Sequence, residues 1–63
     1  MSSYEKYSVI RDKAGITDYR VAKDNEMATS TLSDWKNGIS SPKVDKLKKL
    51  SEYFNVSIEY FLD

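Results

Sequence analysis

The sequence predicts an all-α domain of five short helices, on three observations. Apolar residues recur at helical spacing, at Tyr7, Ile10 and Ala14 and again at Val44, Leu47, Leu50 and Phe54. Cap and stop residues, among them Ser2, Gly15, Thr17, Gly38, Pro42 and Asn55, punctuate those runs at short intervals. No stretch alternates with the period of a strand, and there are no repeats, linkers or low-complexity segments.

The first helix is expected over residues 3–14, with Ser2 as cap and Glu5 three residues on completing a capping box. Its inward stripe is Tyr7, Ile10 and Ala14, with Tyr4 at the edge, Lys6, Asp12 and Lys13 outside, and Val9 off the stripe. Gly15 supplies a left-handed stop. Ile16 tucks into the core, and Thr17 caps a second helix (17–24) that carries Asp18 at its positive end and turns Val21 and Ala22 inward. Small Ala22 lets another helix cross closely, which is what a helix-turn-helix pair needs. A polar turn, Asp24-Asn25-Glu26, follows, with Asn25 the residue best suited to positive φ, and Met27 plugs back into the core.

The third helix spans 28–37, with Leu32 and Trp35 on one side and Thr29, Ser30, Ser33 and Asn37 on the other. Asn37-Gly38 ends it. After the loop Ile39-Ser40-Ser41, a fourth helix (42–54) opens with Ser41 as cap and Pro42 at its first position. Its buried seam is Val44, Leu47, Leu50 and Phe54, beside Ser51. Asn55 closes it, Val56 returns to the core, and Ser57 caps a last helix over 57–62.

A chain of 63 residues makes one domain, residues 1–63, and buries only about 60% of its unfolded surface. Without cysteine or histidine it has neither disulfides nor the usual zinc ligands, so packing or self-association must supply stability. No apolar run approaches a membrane span, and the N-terminus lacks a signal peptide's apolar stretch, which points to the cytoplasm. Acids Asp24 and Glu26 sit in a turn with no histidine, cysteine or glycine-rich loop nearby, so neither an enzyme nor a metal site is expected, and no cofactor or small-molecule ligand.

Ten basic and ten acidic residues cancel overall, but the distribution is uneven. Between Lys36 and Lys49 five lysines face one aspartate, a net +4, while the segments before and after it sum to −1 and −3. Positive charge is thus concentrated just after the third helix, where a phosphate backbone could pass. The short hydroxyl and amide side chains on that helix suit close approach to base edges, which makes it a recognition helix in expectation.

The runs Gly15 to Ala22 and Met27 to Gly38, then Ser41-Pro42, then Asn55 to Leu62, resemble the phage repressor and Cro type of helix-turn-helix domain over essentially the whole chain. The resemblance implies a compact lambda-repressor-like fold. It also implies sequence-specific binding of double-stranded DNA by a prokaryotic, phage-type transcriptional regulator, a repressor acting as a homodimer on a palindromic operator. Thr29, Ser30, Ser33 and Asp34 would then face the major groove, with Thr17, Thr31, Lys36, Asn37, Lys43 and Lys46 at phosphates. Ile58, Tyr60 and Leu62, more apolar surface than one short helix buries alone, would form the dimer interface, Tyr60 and Leu62 foremost.

Three positions depart from the family pattern. Asp18 stands where a phosphate-binding glutamine is usual, and would repel a phosphate unless it caps its own helix. Glu26 replaces the turn glycine. Lys36 replaces the glutamate that pairs with an arginine on the first helix, which frees Lys36 for DNA and leaves Arg11 needing another acceptor. The zero net charge and the absence of arginine and glutamine from the third helix sustain an alternative, a protein-interaction module that kept the fold without binding DNA.

Overall fold

Four helix ends close in the same way, and these closures set the path of the chain. In the computed structural model, which describes residues 2–62, the helices are α1 (Ser3–Ala14), α2 (Asp18–Asp24), α3 (Thr29–Lys36), α4 (Val44–Phe54) and α5 (Glu59–Leu62), and no strand occurs among the described residues. The first four each end on a left-handed residue: Gly15, Glu26, Gly38 and Asn55 have φ of 70°, 54°, 73° and 57°. After each, the next amide donates back five residues: Ile16 to Arg11, Met27 to Ala22, Ile39 to Asp34 and Val56 to Ser51. This paired closure satisfies carbonyls that a helix end leaves open. It also turns Ile16, Met27 and Val56 onto the core, where all three are half-buried.

At the turn between α2 and α3 the left-handed residue is Glu26, not the expected Asn25, whose φ is −105°. Asn25 is instead buried, and its Nδ2 donates to the Val21 carbonyl at 2.8 Å. A buried amide that already caps its own helix is worth more in the ordinary conformation, so the strain moves one residue on, to an exposed side chain.

The α1 start is as the spacing implies: the Glu5 amide donates to Ser2 Oγ at 3.2 Å and the Ser2 amide to Glu5 Oε1 at 3.0 Å. The start of α4 is different. Pro42 is buried and lies before the helix, which begins at Val44 after Lys43, with no side-chain cap. Proline disfavours the helical conformation in the residue before it. Residues 40–43 are non-helical, and Pro42 lines one groove with Trp35, Leu47 and Phe61. With this later helix start Val44, expected in the buried seam, is 63% exposed, and the seam is Leu47, Leu50, Ser51 and Phe54. Ala14 is likewise exposed, so the inward stripe of α1 ends at Ile10. In α5 the Glu59 amide donates to Ser57 Oγ at 3.2 Å, which places the cap as expected although the helix proper starts at Glu59.

The core is Tyr7, Val21, Ala22, Leu32, Trp35, Leu47, Leu50 and Phe61. Trp35 is its centre: the rings of Tyr7, Tyr4 and Phe61 lie 5.2, 5.6 and 6.1 Å away, and the indole N–H donates to Ser3 Oγ at 2.8 Å. Edge and tilted ring contacts of this kind add stability beyond area burial. One aromatic side chain from α3 thereby ties α1 to α5, and α2 packs directly on α3. The radius of gyration, 10.3 Å, is that of a close-packed chain of this length.

Candidate nucleic-acid interface

The outward face of α3 is held by what lies beneath it. Leu32 and Trp35 are buried at 0% and 5% exposure, which fixes the helix in rotation, so Thr29, Ser30 and Ser33 all point to solvent. These three fall within a third of a helical turn of one another, with exposed Asn37 continuing the line and half-buried Asp34 at one rim. Lys36 is exposed beside Thr29 at the other rim, and Thr31 is half-buried on the inner side. Asp34 also serves the fold, since its carbonyl receives the Ile39 amide at 2.9 Å and so holds the loop that follows.

The other residues expected at phosphates differ in exposure. Thr17 is exposed while its Oγ1 accepts the Arg20 amide at 3.2 Å, leaving its hydroxyl proton directed elsewhere. Lys43 is exposed on the loop before α4 and Lys46 is half-buried in its first turn. Of the residues expected at a dimer interface, Ile58 and Tyr60 are half-buried against the core, and the Tyr60 hydroxyl donates to the Lys6 carbonyl at 2.8 Å. Leu62 is 54% exposed. It borders an open groove of about 610 Å³ whose other walls include Trp35, Pro42, Val44, Leu47 and Phe61.

Sequence reasoning missed how α2 is anchored. Asp18 accepts from Tyr7 Oη at 2.7 Å, from Tyr4 Oη at 3.0 Å and from Arg11 Nη1 at 2.7 Å. Arg11 also reaches the Tyr4 hydroxyl at 3.0 Å, lies 5.6 Å from the centre of the Tyr7 ring, and pairs with exposed Asp12 at 2.9 Å. This is the acceptor Arg11 needs in the absence of a glutamate on α3. Partial burial alone would raise the Asp18 pKa, but the bonds from Tyr7, Arg11 and Tyr4 outweigh it and hold the carboxyl below its ordinary value. Burial, then the bond to Asp18, pushes the Tyr7 phenol well above its ordinary value. Asp18 is thus a compensated anion turned toward α1. Its expected repulsion of a phosphate is weakened by Arg11, whose charge it shares with Asp12. Two tyrosines three residues apart on an inward face, each with a polar tip needing a partner, were the available signal.

A second, more exposed link joins α2 to α4. Asp24 accepts from Arg20 Nε at 2.8 Å and from the Tyr53 hydroxyl at 2.6 Å. Those bonds, that of Tyr53 first, hold the Asp24 pKa below its ordinary value. α2, which packs on α3 and has Val21 and Ala22 buried, is thus held at both ends. Among the described residues no group of acidic side chains could hold a metal ion, and no helix is long and apolar enough to cross a membrane.

The comparisons with known proteins agree with this geometry. The chain is 34% identical over 62 residues to the HTH-type transcriptional regulator ImmR of Bacillus subtilis (strain 168), an alignment covering 98% of this chain and 49% of that protein. It therefore spans about half the length of the curated relative it matches. No solved structure matches it. A family model described as helix-turn-helix matches residues 9–61, which includes the α2–α3 pair, its Glu26 turn and the helices that brace it, so the chain belongs to the helix-turn-helix family.

Proposed function

We propose that this chain binds double-stranded DNA in a sequence-specific manner as the DNA-binding domain of a prokaryotic transcriptional regulator, a repressor, with α3 in the major groove. The observation that carries the reading is the face of α3: three exposed hydroxyl side chains in a line, on a helix whose rotation is fixed by buried Leu32 and Trp35. Hydroxyls on a rigid helix donate to and accept from base edges, and Asp34 can accept from a cytosine amino group. In this reading Thr29, Ser30, Ser33 and Asp34 read bases. Thr17, Thr31, Lys36, Asn37, Lys43 and Lys46 set the register on phosphates.

The protein acts as a homodimer on a two-fold operator, its half-sites about one helical turn apart. Leu62 and the groove beside it supply a knob and a hollow on one patch, the arrangement that a two-fold contact requires. In this reading Ile58 and Tyr60, half-buried against the core, add their exposed parts to the interface. The ImmR relative, by its name a transcriptional regulator, favours the same role.

Salt dependence tests the reading. Three lysines per protomer, six in the dimer, give a loss of about a thousandfold in affinity between 50 and 200 mM salt. A measured affinity for duplex DNA that falls in this way supports the proposal; no salt-sensitive binding even at low ionic strength removes it. The apolar groove and the zero net charge favour a second reading, a module that binds another protein, and that reading predicts binding little changed by salt.

A further inference from the structure

We propose that Tyr19 is a second reading head, contacting a thymine methyl at the edge of the site that α3 reads; this rests on the DNA-binding role proposed above. The chain has five tyrosines, and four of them spend their hydroxyls within the fold. Tyr4 and Tyr7 donate to Asp18, Tyr53 donates to Asp24 and Tyr60 donates to the Lys6 carbonyl. Tyr19 is 67% exposed, and among the described residues neither its hydroxyl nor its ring has a partner. Unlike the other four, it gives neither a hydrogen bond nor a ring contact to the fold, so the whole side chain is available to a ligand.

Its position on α2 gives the ring a direction. Val21, Ala22 and Asn25 face the core, and Arg20 and Asp24 lie on the flank that Tyr53 joins to α4. Tyr19 and Lys23, four residues apart, occupy the opposite flank of a helix that packs on α3. Tyr19 is also the second residue of α2, two residues after the exposed Thr17 that caps the helix. The base-reading side chains proposed on α3, Thr29, Ser30, Ser33 and Asp34, are all short, so their reach ends at the bases directly beneath the helix. A tyrosine set to one side on a rigid helix extends the footprint, and its ring matches the methyl that distinguishes thymine in the major groove.

The test is a binding titration of the wild type, Tyr19→Ala and Tyr19→Phe against a duplex site selected from a random library, with each thymine of the site replaced in turn by deoxyuridine. Tyr19 lies outside the core, so all three proteins should melt at the same temperature. The inference expects Tyr19→Ala to bind the selected site about five- to tenfold more weakly, with an unchanged salt slope. It expects one thymine-to-uracil change to weaken the wild type and Tyr19→Phe while leaving Tyr19→Ala unaffected. Equal affinity of wild type and Tyr19→Ala overturns it, as does an equal loss on every sequence, the mark of a phosphate contact. If the wild type selects no site at all, the DNA-binding reading falls and the inference falls with it. A selected site that Tyr19→Ala reads as well as the wild type removes only the role of Tyr19.

Discussion

Replacing Asp18 by asparagine should destabilise the fold by about 2 kcal/mol. The side chain accepts from Tyr4, Tyr7 and Arg11 and is 31% exposed, between the surface and interior cases. Breaking a fully buried pair costs about 3 to 5 kcal/mol, and an exposed pair contributes about 0 to 1. Arg11 keeps Asp12 as a partner, but that carboxylate is 69% exposed, so the loss lies midway between these limits. Stability for a chain of this length is roughly 3 to 9 kcal/mol, so the change lowers the melting temperature by roughly 8 to 16 °C. Circular dichroism melts at neutral pH measure it directly.

Acid provides the control. The Asp18 pKa in the fold lies below the ordinary 3.8, so its contribution is present above that value and disappears as pH falls through the folded value. The gap between the wild type and Asp18→Asn should therefore close in strong acid. Melting temperatures within 2 °C of each other at neutral pH would show that the cluster does not hold α2, and the reasoning that Asp18 is a compensated structural anion would be wrong.

Other substitutions separate the fold from the interface. Glu26→Gly should stabilise the protein by about 0.5 to 1 kcal/mol in urea unfolding, since the left-handed conformation costs a side chain about 1 to 2 kcal/mol and the flexibility of glycine returns part of that; an unchanged midpoint would deny strain at the turn. Trp35→Ala should cost roughly 3 to 5 kcal/mol by emptying the centre of the core, seen as loss of amide dispersion in two-dimensional NMR spectra. Thr29→Ala and Ser30→Ala should each cost about 1 to 3 kcal/mol at particular base pairs with non-specific binding nearly unchanged, whereas Lys43→Ala and Lys46→Ala weaken all sequences alike and flatten the salt slope. If all four behave alike, the division into readers and anchors does not hold.

The all-helical fold was legible because its signals are local. The Ser2 to Glu5 box, the stops at Gly15, Gly38 and Asn55, and the apolar spacing around Leu32 and Trp35 each depend on a few neighbouring residues. What could not be read depends on tertiary contact. Whether Pro42 opens a helix or is buried ahead of it depends on what packs around its ring, and the exposure of Val44 goes with the later helix start. Asn25 yields the left-handed position to Glu26 because its amide is buried, and burial is not a local property. The same holds for the interface. The alternation on α3 marks its outward face, but nothing in the spacing joins Tyr4, Tyr7 and Arg11 to Asp18 across two helices, or distinguishes Tyr19 from four tyrosines whose hydroxyls are engaged within the fold.

Selection of bound sites from a random duplex library tests the central claim most directly. If the hydroxyl face of α3 reads bases from a two-fold dimer, the recovered sequences converge on a motif with two inverted halves whose centres lie about one helical turn apart. Recovered sequences with no common motif, or no enrichment over the starting pool, would contradict it.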